Sequence, residues 1–404
     1  MRDCNPAILQ FSVTSMINGP VITRATLIDV TARLVATPSV NPSIAPSEGT
    51  GEAAVAAVAA AWLRDHGVRV ALEDASPGRP NVVAELGDAT GPTLVLCAHL
   101  DTVGTEGMTI APFGPRVDGD RLYGRGAYDM KASAAAIMVA MAHLAAGSER
   151  PQRGRVMAAL VCDEEHASLG AFDFVRRHPA DACIVTEPAE GGLVLAHKGF
   201  VWVDVVTTGR AAHGSRWDLG RSAIGRMAPI IAAIEAYDRD ELRRRVHPLV
   251  GPASMHCALI NGGTGLSTYA PECRLQIERR TLPGETPEQV RDEIVSVVSR
   301  AGEAVGDAAR VEVTFARDPC VCDSTARIAG CVRDAVTDVT GQTPADAGVG
   351  FWMDAAVFAA AGVPTVNYGP VGEGAHAAVE WVDIPSVVRL ANVLVNAARR
   401  YHGG

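Results

Sequence analysis

The strongest constraint on the fold is a set of short apolar runs, each closed by breakers or acidic residues and spaced by segments of helical periodicity. Residues 81–86, 93–98, 156–162 and 183–186 are rich in Val, Leu, Ala and Cys and carry almost no charge. Runs of this length without polar alternation are strands covered on both faces, as in a parallel sheet. Residues 23–37 and 52–66 read as amphipathic helices, the second closed by Gly67 where a left-handed cap belongs. Residues 130–145, rich in Ala and Met, are long and apolar enough for a buried helix and complete a βαβ unit. The alternation returns with a helix at 354–361, a strand at 364–368 and a helix from Ile384 onward. An α/β domain on a largely parallel sheet is expected.

Between Lys198 and about Ala316 the rhythm changes. Strands are expected at 201–207, 254–260, 273–279 and 310–315, and helices at 222–237 and 287–304. The order βαββαβ is that of a ferredoxin-like unit. With 404 residues the chain exceeds one ordinary core, so residues 1–197 and 317–404 are expected to form one α/β domain and 198–316 a smaller domain inserted into it. The connections fall near 196–199 and 317–319. No repeat or low-complexity segment interrupts this division.

Composition narrows the partners. Hydrophobic residues at 48% and charged residues at 20% describe a globular protein with ample core. A net charge of −10 works against nucleic acid, which calls for clustered Lys and Arg. Nine scattered cysteines do not form a secreted disulfide framework, so a reducing cytoplasm is expected. Cys320 and Cys322 lack a second pair at zinc-site spacing. Residues 1–15 carry Arg2, Asp3, Asn5 and Gln10 without a continuous apolar stretch, unlike a signal peptide, and Met16 is a second candidate start. No apolar stretch reaches membrane-spanning length before a charge or breaker.

The chemistry sits where the strands end. His99 and Asp101 follow the 93–98 run; Asp163, Glu164 and Glu165 follow 156–162; Glu187 follows 183–186; and His376 follows 364–368 through a Gly-rich loop. In an open parallel sheet the carboxyl ends of the strands are where ligands bind, so these residues are expected to meet. Two imidazoles and several carboxylates in one crevice need a cation to neutralise them. Nitrogen and oxygen donors without thiolate suit two divalent ions, zinc with cobalt or manganese as alternatives, sharing a bridging carboxylate. Taken singly, His99 is a packed histidine, Asp129 a helix cap and Glu164 and Glu165 a solvated turn; only the set points to catalysis. Gly124 to Gly126 stops short of a phosphate loop, because Asp129 stands where a glycine is wanted. His66, His143, His166, His178, His197, His247, His256 and His402 are read as structural.

The motifs His99-Leu100-Asp101, Gly124-Arg125-Gly126-Ala127-Tyr128-Asp129-Met130-Lys131, Asp163-Glu164-Glu165, Glu187-Pro188 and Gly374-Ala375-His376 occur in this order across nearly the whole chain. Together they resemble the M20 metallopeptidase family, which includes acetylornithine deacetylase, succinyl-diaminopimelate desuccinylase, aminoacylase and glutamate carboxypeptidases. The resemblance implies that His99 and Glu187 hold one metal, Glu165 and His376 the other, and that Asp129 bridges them. Asp101 is then expected to accept the free ring N–H of His99 and set its tautomer. Glu164 is implied as the general base, taking a proton from water and returning it to the departing amine.

Gly209-Arg210-Ala211-Ala212-His213 resembles the family's G-x-x-A-H motif, which implies a homodimer in which His213 crosses to the other subunit's site to stabilise the oxyanion. Arg280 matches the family arginine that grips a substrate carboxylate. On the residues alone, His213 reads as a surface or interface residue, and pairing of Arg280 with Glu278 or Glu272 stays open. One departure is Ser267-Thr268-Tyr269-Ala270-Pro271, where many relatives carry Asn-x-x-Pro. The implied activity is hydrolysis of a small N-acyl-L-amino acid, in the manner of acetylornithine deacetylase. A dipeptidase or carboxypeptidase with the same dinuclear site is the alternative. A catalytically silent binding protein on this fold is the reading from another class, against which the complete ligand set and base argue.

Overall fold

The computed structural model describes residues 22–147, 153–303 and 309–403. The segment weighed above as a leader lies outside the described residues. The first helix, Arg24–Val35, starts where Thr23 accepts the Thr26 backbone N–H at 3.1 Å, and it buries Leu27, Val30 and Leu34. The second, Ala53–Asp65, is followed by Gly67 at φ +76°.

A nine-stranded sheet organises the chain. In spatial order it runs Arg69–Ser76, Arg79–Gly87, Arg155–Val161, Thr93–His99, Ala182–Val185, Thr365–Asn367, Leu193–His197 and Cys320–Val321, with Asp346–Val349 also paired to Leu193–His197. The four strands from Arg155–Val161 to Thr365–Asn367 are mutually parallel. The pairs Arg69–Ser76 with Arg79–Gly87 and Arg79–Gly87 with Arg155–Val161 are antiparallel, a feature that apolar runs do not encode. Thr93–His99 is buried along its whole length, as its uninterrupted apolar sequence requires.

Helix Ala132–Ala146 is buried on nearly every side, in keeping with its Ala and Met content. It joins the helices Arg24–Val35, Ala53–Asp65, Arg327–Thr340 and Ile384–Tyr401 on one face of the sheet, in a cluster that includes Leu34, Ile137, Leu144, Val332 and Leu394. Each such aliphatic side chain contributes about 1.5–3 kcal/mol on burial. Phe174 and Phe358, from helices Leu169–Arg177 and Ala355–Ala360, cover the other face.

The inserted unit is a four-stranded antiparallel sheet in the order Ser254–Gly262, Glu272–Thr281, Gly199–Thr208, Arg310–Arg317, backed by helices Ala223–Asp240 and Pro287–Glu303. This is the ferredoxin-like arrangement, with a core of its own built on Val203, Met227, Ile230, Leu275 and Ile294. Lys198 alone separates Leu193–His197 of the large sheet from Gly199–Thr208 of the small one. Leu249 packs against both cores, and a Cβ on Gly348 would stand 2.6 Å from its carbonyl oxygen. Glycine at 348 therefore lets the inserted unit approach the edge of the large sheet.

A second small sheet, Gly372–Glu373, Trp381–Asp383, Arg121–Tyr123 and Arg116–Asp118, has strands too short to show in sequence. Its strands are held by tertiary contacts, including Arg121 over the Trp381 ring at 3.9 Å and Arg116 over Tyr123 at 4.2 Å. It lays the loop carrying His376 beside the loop carrying Asp129. Among the described residues no helix is long and apolar enough to cross a membrane.

Candidate metal centre

His99 ends its strand with Nε2 3.0 Å from Asp129 Oδ1, 3.5 Å from Glu187 Oε1 and 4.0 Å from Glu164 Oε2. The other oxygen of Asp129, Oδ2, lies 3.2 Å from His376 Nε2, which is in turn 3.1 Å from Glu165 Oε2. Asp129 thus turns one oxygen to each imidazole, and each imidazole has further carboxylates beside it. One donor atom from each of His99, Glu164 and Glu187, and likewise from His99, Asp129 and Glu165, falls within 4.8 Å of the others. All five residues expected as ligands, and Glu164, are gathered here.

The backbone that presents them is pinned from behind. The Asp101 carboxylate accepts from Asn41 Nδ2 at 2.8 Å and from the backbone N–H groups of Glu164 and Glu165, both at 3.1 Å. The partner expected for this carboxylate was the ring N–H of His99. The ring Nδ1 of His99 meets the Asp101 backbone carbonyl at 2.9 Å, whereas the carboxylate stands off at 3.6 Å. The carboxylate instead orients the two glutamates, because backbone donors to a turn are nearer than the ring. Beneath that turn, buried Asp163 accepts from Asn41 Nδ2 and Arg79 Nη2, both at 3.0 Å.

Glu380 plays the matching part for Asp129. It is buried, and its carboxylate accepts from Arg125 Nη1 at 2.7 Å and from the backbone N–H groups of Gly126, Tyr128 and Asp129 at 3.0, 2.9 and 3.0 Å. Gly369 is the seat for Glu187: a Cβ there would lie 2.0 Å from the Glu187 carbonyl oxygen. His376 holds φ +61°, a left-handed conformation that costs a non-glycine residue about 1–3 kcal/mol and is tolerated where the surroundings impose it.

Burial pushes the carboxyls of Glu164, Glu165 and Glu187 up, and neighbouring acids push the same way. Hydrogen bonds to Asp129 and Glu165 hold His376 up to about 10. Burial would lower His99, but Glu187, Asp129 and Glu164 overcome it and raise the imidazole well above its usual value. The crowding of like charge behind these shifts is what divalent cations would offset. The donor set fits such ions: only nitrogen and carboxylate oxygen are offered, and the buried Glu165 Oε1 has no hydrogen-bond partner.

The centre opens into a cleft of about 720 Å³ whose lining includes Asp129, Glu164, Glu165, Glu187 and His376. Four expected residues lie outside that lining: His99 and Asp101, which are buried, and His213 and Arg280. His213 is exposed on the inserted unit, where its Nδ1 is 2.9 Å from Ser215 Oγ and its backbone bridges Thr268. The departure at Ser267-Thr268 and the His213 motif are thus one structural piece. Arg280 pairs with Glu278 at 2.7 Å and lies over Phe200 at 5.3 Å, the local pairing that its sequence left open. Glu380, Arg125, Asn41 and Arg79 were not singled out from sequence. Arg125 lies inside a quoted motif and Glu380 four residues beyond His376, so only proximity to known motifs hinted at them.

Known proteins resemble this chain in sequence and in fold. The model for peptidase family M20/M25/M40 matches residues 95–400. Acetylornithine deacetylase of Vibrio campbellii is 32% identical over 264 residues, which are 64% of this chain and 68% of that protein. The Proteus mirabilis protein of the same name is 30% identical over 277 residues, 66% and 70% of the two chains. Among solved structures, a tripeptidase from Staphylococcus aureus superposes with a TM-score of 0.79 at 19% identity, covering 95% of this chain and 99% of that one. A Bacillus subtilis protein described as a dinuclear metal binding peptidase from the M20 family gives 0.73 at 16% identity, covering 94% and 98%.

Proposed function

This chain belongs to peptidase family M20/M25/M40 and is an enzyme, and we propose that it removes the acyl group from a small N-acyl-L-amino acid by hydrolysis. The observation that carries the reading is Asp129, with one oxygen facing His99 and the other facing His376. His99 and Glu187 would hold one divalent ion, His376 and Glu165 the other, with Asp129 shared. Zinc is the proposed metal, with cobalt or manganese as substitutes. Such ions supply Lewis acidity toward a carbonyl oxygen and toward water.

The chain's own residues supply the rest. Glu164 reaches the same cluster without being needed as a ligand, and burial raises its carboxyl above the usual range, which makes its carboxylate a stronger acceptor for a proton from water that it can then hand to a departing amine. Asp101 and Glu380 hold the backbone of the donors in place, so little reorganisation is left for the reaction. In this reading a second copy of the chain delivers His213 to the cleft, and Arg280 exchanges Glu278 for the substrate carboxylate. Relatives at 30% identity or more that bear the name acetylornithine deacetylase favour a deacylase over a peptidase, since neighbours known by fold alone speak only to architecture. All eight cysteines among the described residues are free, which supports a reducing compartment such as the cytoplasm.

The test is a panel of N-acetylornithine, other N-acetyl amino acids and dipeptides offered to zinc-loaded protein, with metal content measured in parallel. Deacylation above peptide cleavage is expected. Faster cleavage of dipeptides would replace this reading with the peptidase one, and bound metal without hydrolysis would leave a binding protein.

A further inference from the structure

The cleft lining is of two kinds. Besides the carboxylates and imidazole it includes an apolar wall of Val194, Ala347, Val349, Phe351 and Trp352, which starts from the paired strands Leu193–His197 and Asp346–Val349 toward one side of the large sheet. None of its eighteen lining residues is Lys or Arg, and its one carboxylate outside the metal centre is the exposed Glu190. Arg317, whose guanidinium lies 5.6 Å from the Trp352 ring, is already engaged: it donates to the Ala167 carbonyl at 2.7 Å and lies against the Phe315 ring at 4.3 Å. Trp352 is held as well, its Nε1 donating to the Asp318 carbonyl at 3.0 Å and its ring edge-on to His197 and Phe200. Phe351 remains 43% exposed at the opening.

Resting on the deacylase reading above, we propose that the substrate group lying along residues 349–352 is apolar, branched or aromatic, and that Phe351 and Trp352 select it. A second carboxylate, as in a succinyl group or an acidic side chain, would be desolvated against this wall with no counter-charge and with Glu190 repelling it. An ammonium group would find only Glu190, where solvent screening leaves the pairing weak. An apolar group covers Phe351 and gains from a wall whose Trp352 needs no reordering.

Two substrate series identify which part of the substrate lies there: N-acetyl-L-leucine, -phenylalanine, -ornithine and -glutamate for the side chain, and acetyl-, benzoyl- and succinyl-glycine for the acyl group. With zinc-loaded enzyme, the apolar members should lead the charged ones in kcat/KM by roughly 10-fold or more in at least one series. Phe351→Arg, at an exposed position, should shrink that lead and raise the anionic members. Preference for charged members in both series, or an undiminished lead of the apolar members in Phe351→Arg, overturns the proposal. If nothing is hydrolysed, it is the deacylase reading that fails. Calorimetry on the Glu164→Gln protein then decides the wall: tighter binding of N-acetyl-L-phenylalanine than of N-acetyl-L-glutamate supports it, and the reverse order defeats it.

Discussion

Replacing Glu380 by glutamine keeps the volume of the side chain and removes its charge. The carboxylate accepts four hydrogen bonds, two at each oxygen: Arg125 and Gly126 at one, Tyr128 and Asp129 at the other. An amide has one accepting oxygen, so its NH₂ must face one of these donor pairs, leaving two buried donors unmet. If the oxygen stays with Tyr128 and Asp129, Arg125 is left as a buried cation without its partner. Losing one member of such a pair costs about 3–5 kcal/mol. If the oxygen turns to Arg125, the two N–H groups around Asp129 are orphaned at about 1–3 kcal/mol each. Either way Asp129 is less well held, and loss of such a support weakens metal binding by roughly 10- to 100-fold. Urea denaturation reads the first number and competition with a chelator reads the second. Arg125→Gln is the control, since it leaves all three backbone donors satisfied and should lower metal affinity less. Equal metal affinity in the two variants and the parent would refute the assignment of Glu380 as the support of Asp129.

Glu164→Gln should retain the metal of the parent while kcat falls roughly 10²- to 10⁴-fold; parent-like turnover would dismiss it as the base. Chelation should abolish activity and lower the melting temperature, with zinc or cobalt restoring both, since metal at 100 times its Kd adds about 3 kcal/mol per site; turnover that survives chelation would rule out the metal mechanism. Gly369→Ala should displace Glu187, because its methyl would overlap the Glu187 carbonyl, so a variant that crystallises with Glu187 unmoved and binds metal normally would show the seat to be soft. Burial lowers His197 to about 4, so on acidification the unfolded chain takes up the proton first. Stability is then full above about pH 6.5 and declines toward pH 4, by about 2 kcal/mol at pH 5. Between pH 7.5 and 5 the parent should lose that much more than His197→Gln in urea titrations, and parallel losses would exclude His197 as the cause.

His99, Glu165, Glu187 and His376 were expected together because a parallel sheet puts strand carboxyl ends on one edge, and apolar runs mark those ends in the sequence; Asp129, in a turn before a helix, was expected beside them only from the family resemblance. The Asp101 carboxylate was legible as part of a motif but not in its contact, since a distance of 2.9 Å to a carbonyl against 3.6 Å to a carboxylate depends on how the turn closes. Glu380 and the strands Gly372–Glu373 and Trp381–Asp383 left no periodic trace, being too short for a pattern and held only by what they touch. Arg280 carried the right residue type, and its pairing with Glu278, two residues back on the same strand, was one of the two local pairings the sequence left open.

Local alternation of apolar and breaker residues therefore determined the α/β sheet, the inserted βαββαβ unit and the positions where donors emerge, because those features repeat along a single chain segment. Which oxygen faces which imidazole, what supports each donor and what lines the apolar wall were decided by tertiary structure alone. Those contacts join segments as far apart as Asp129 and Glu380, and no short stretch of sequence contains both halves of such an interaction.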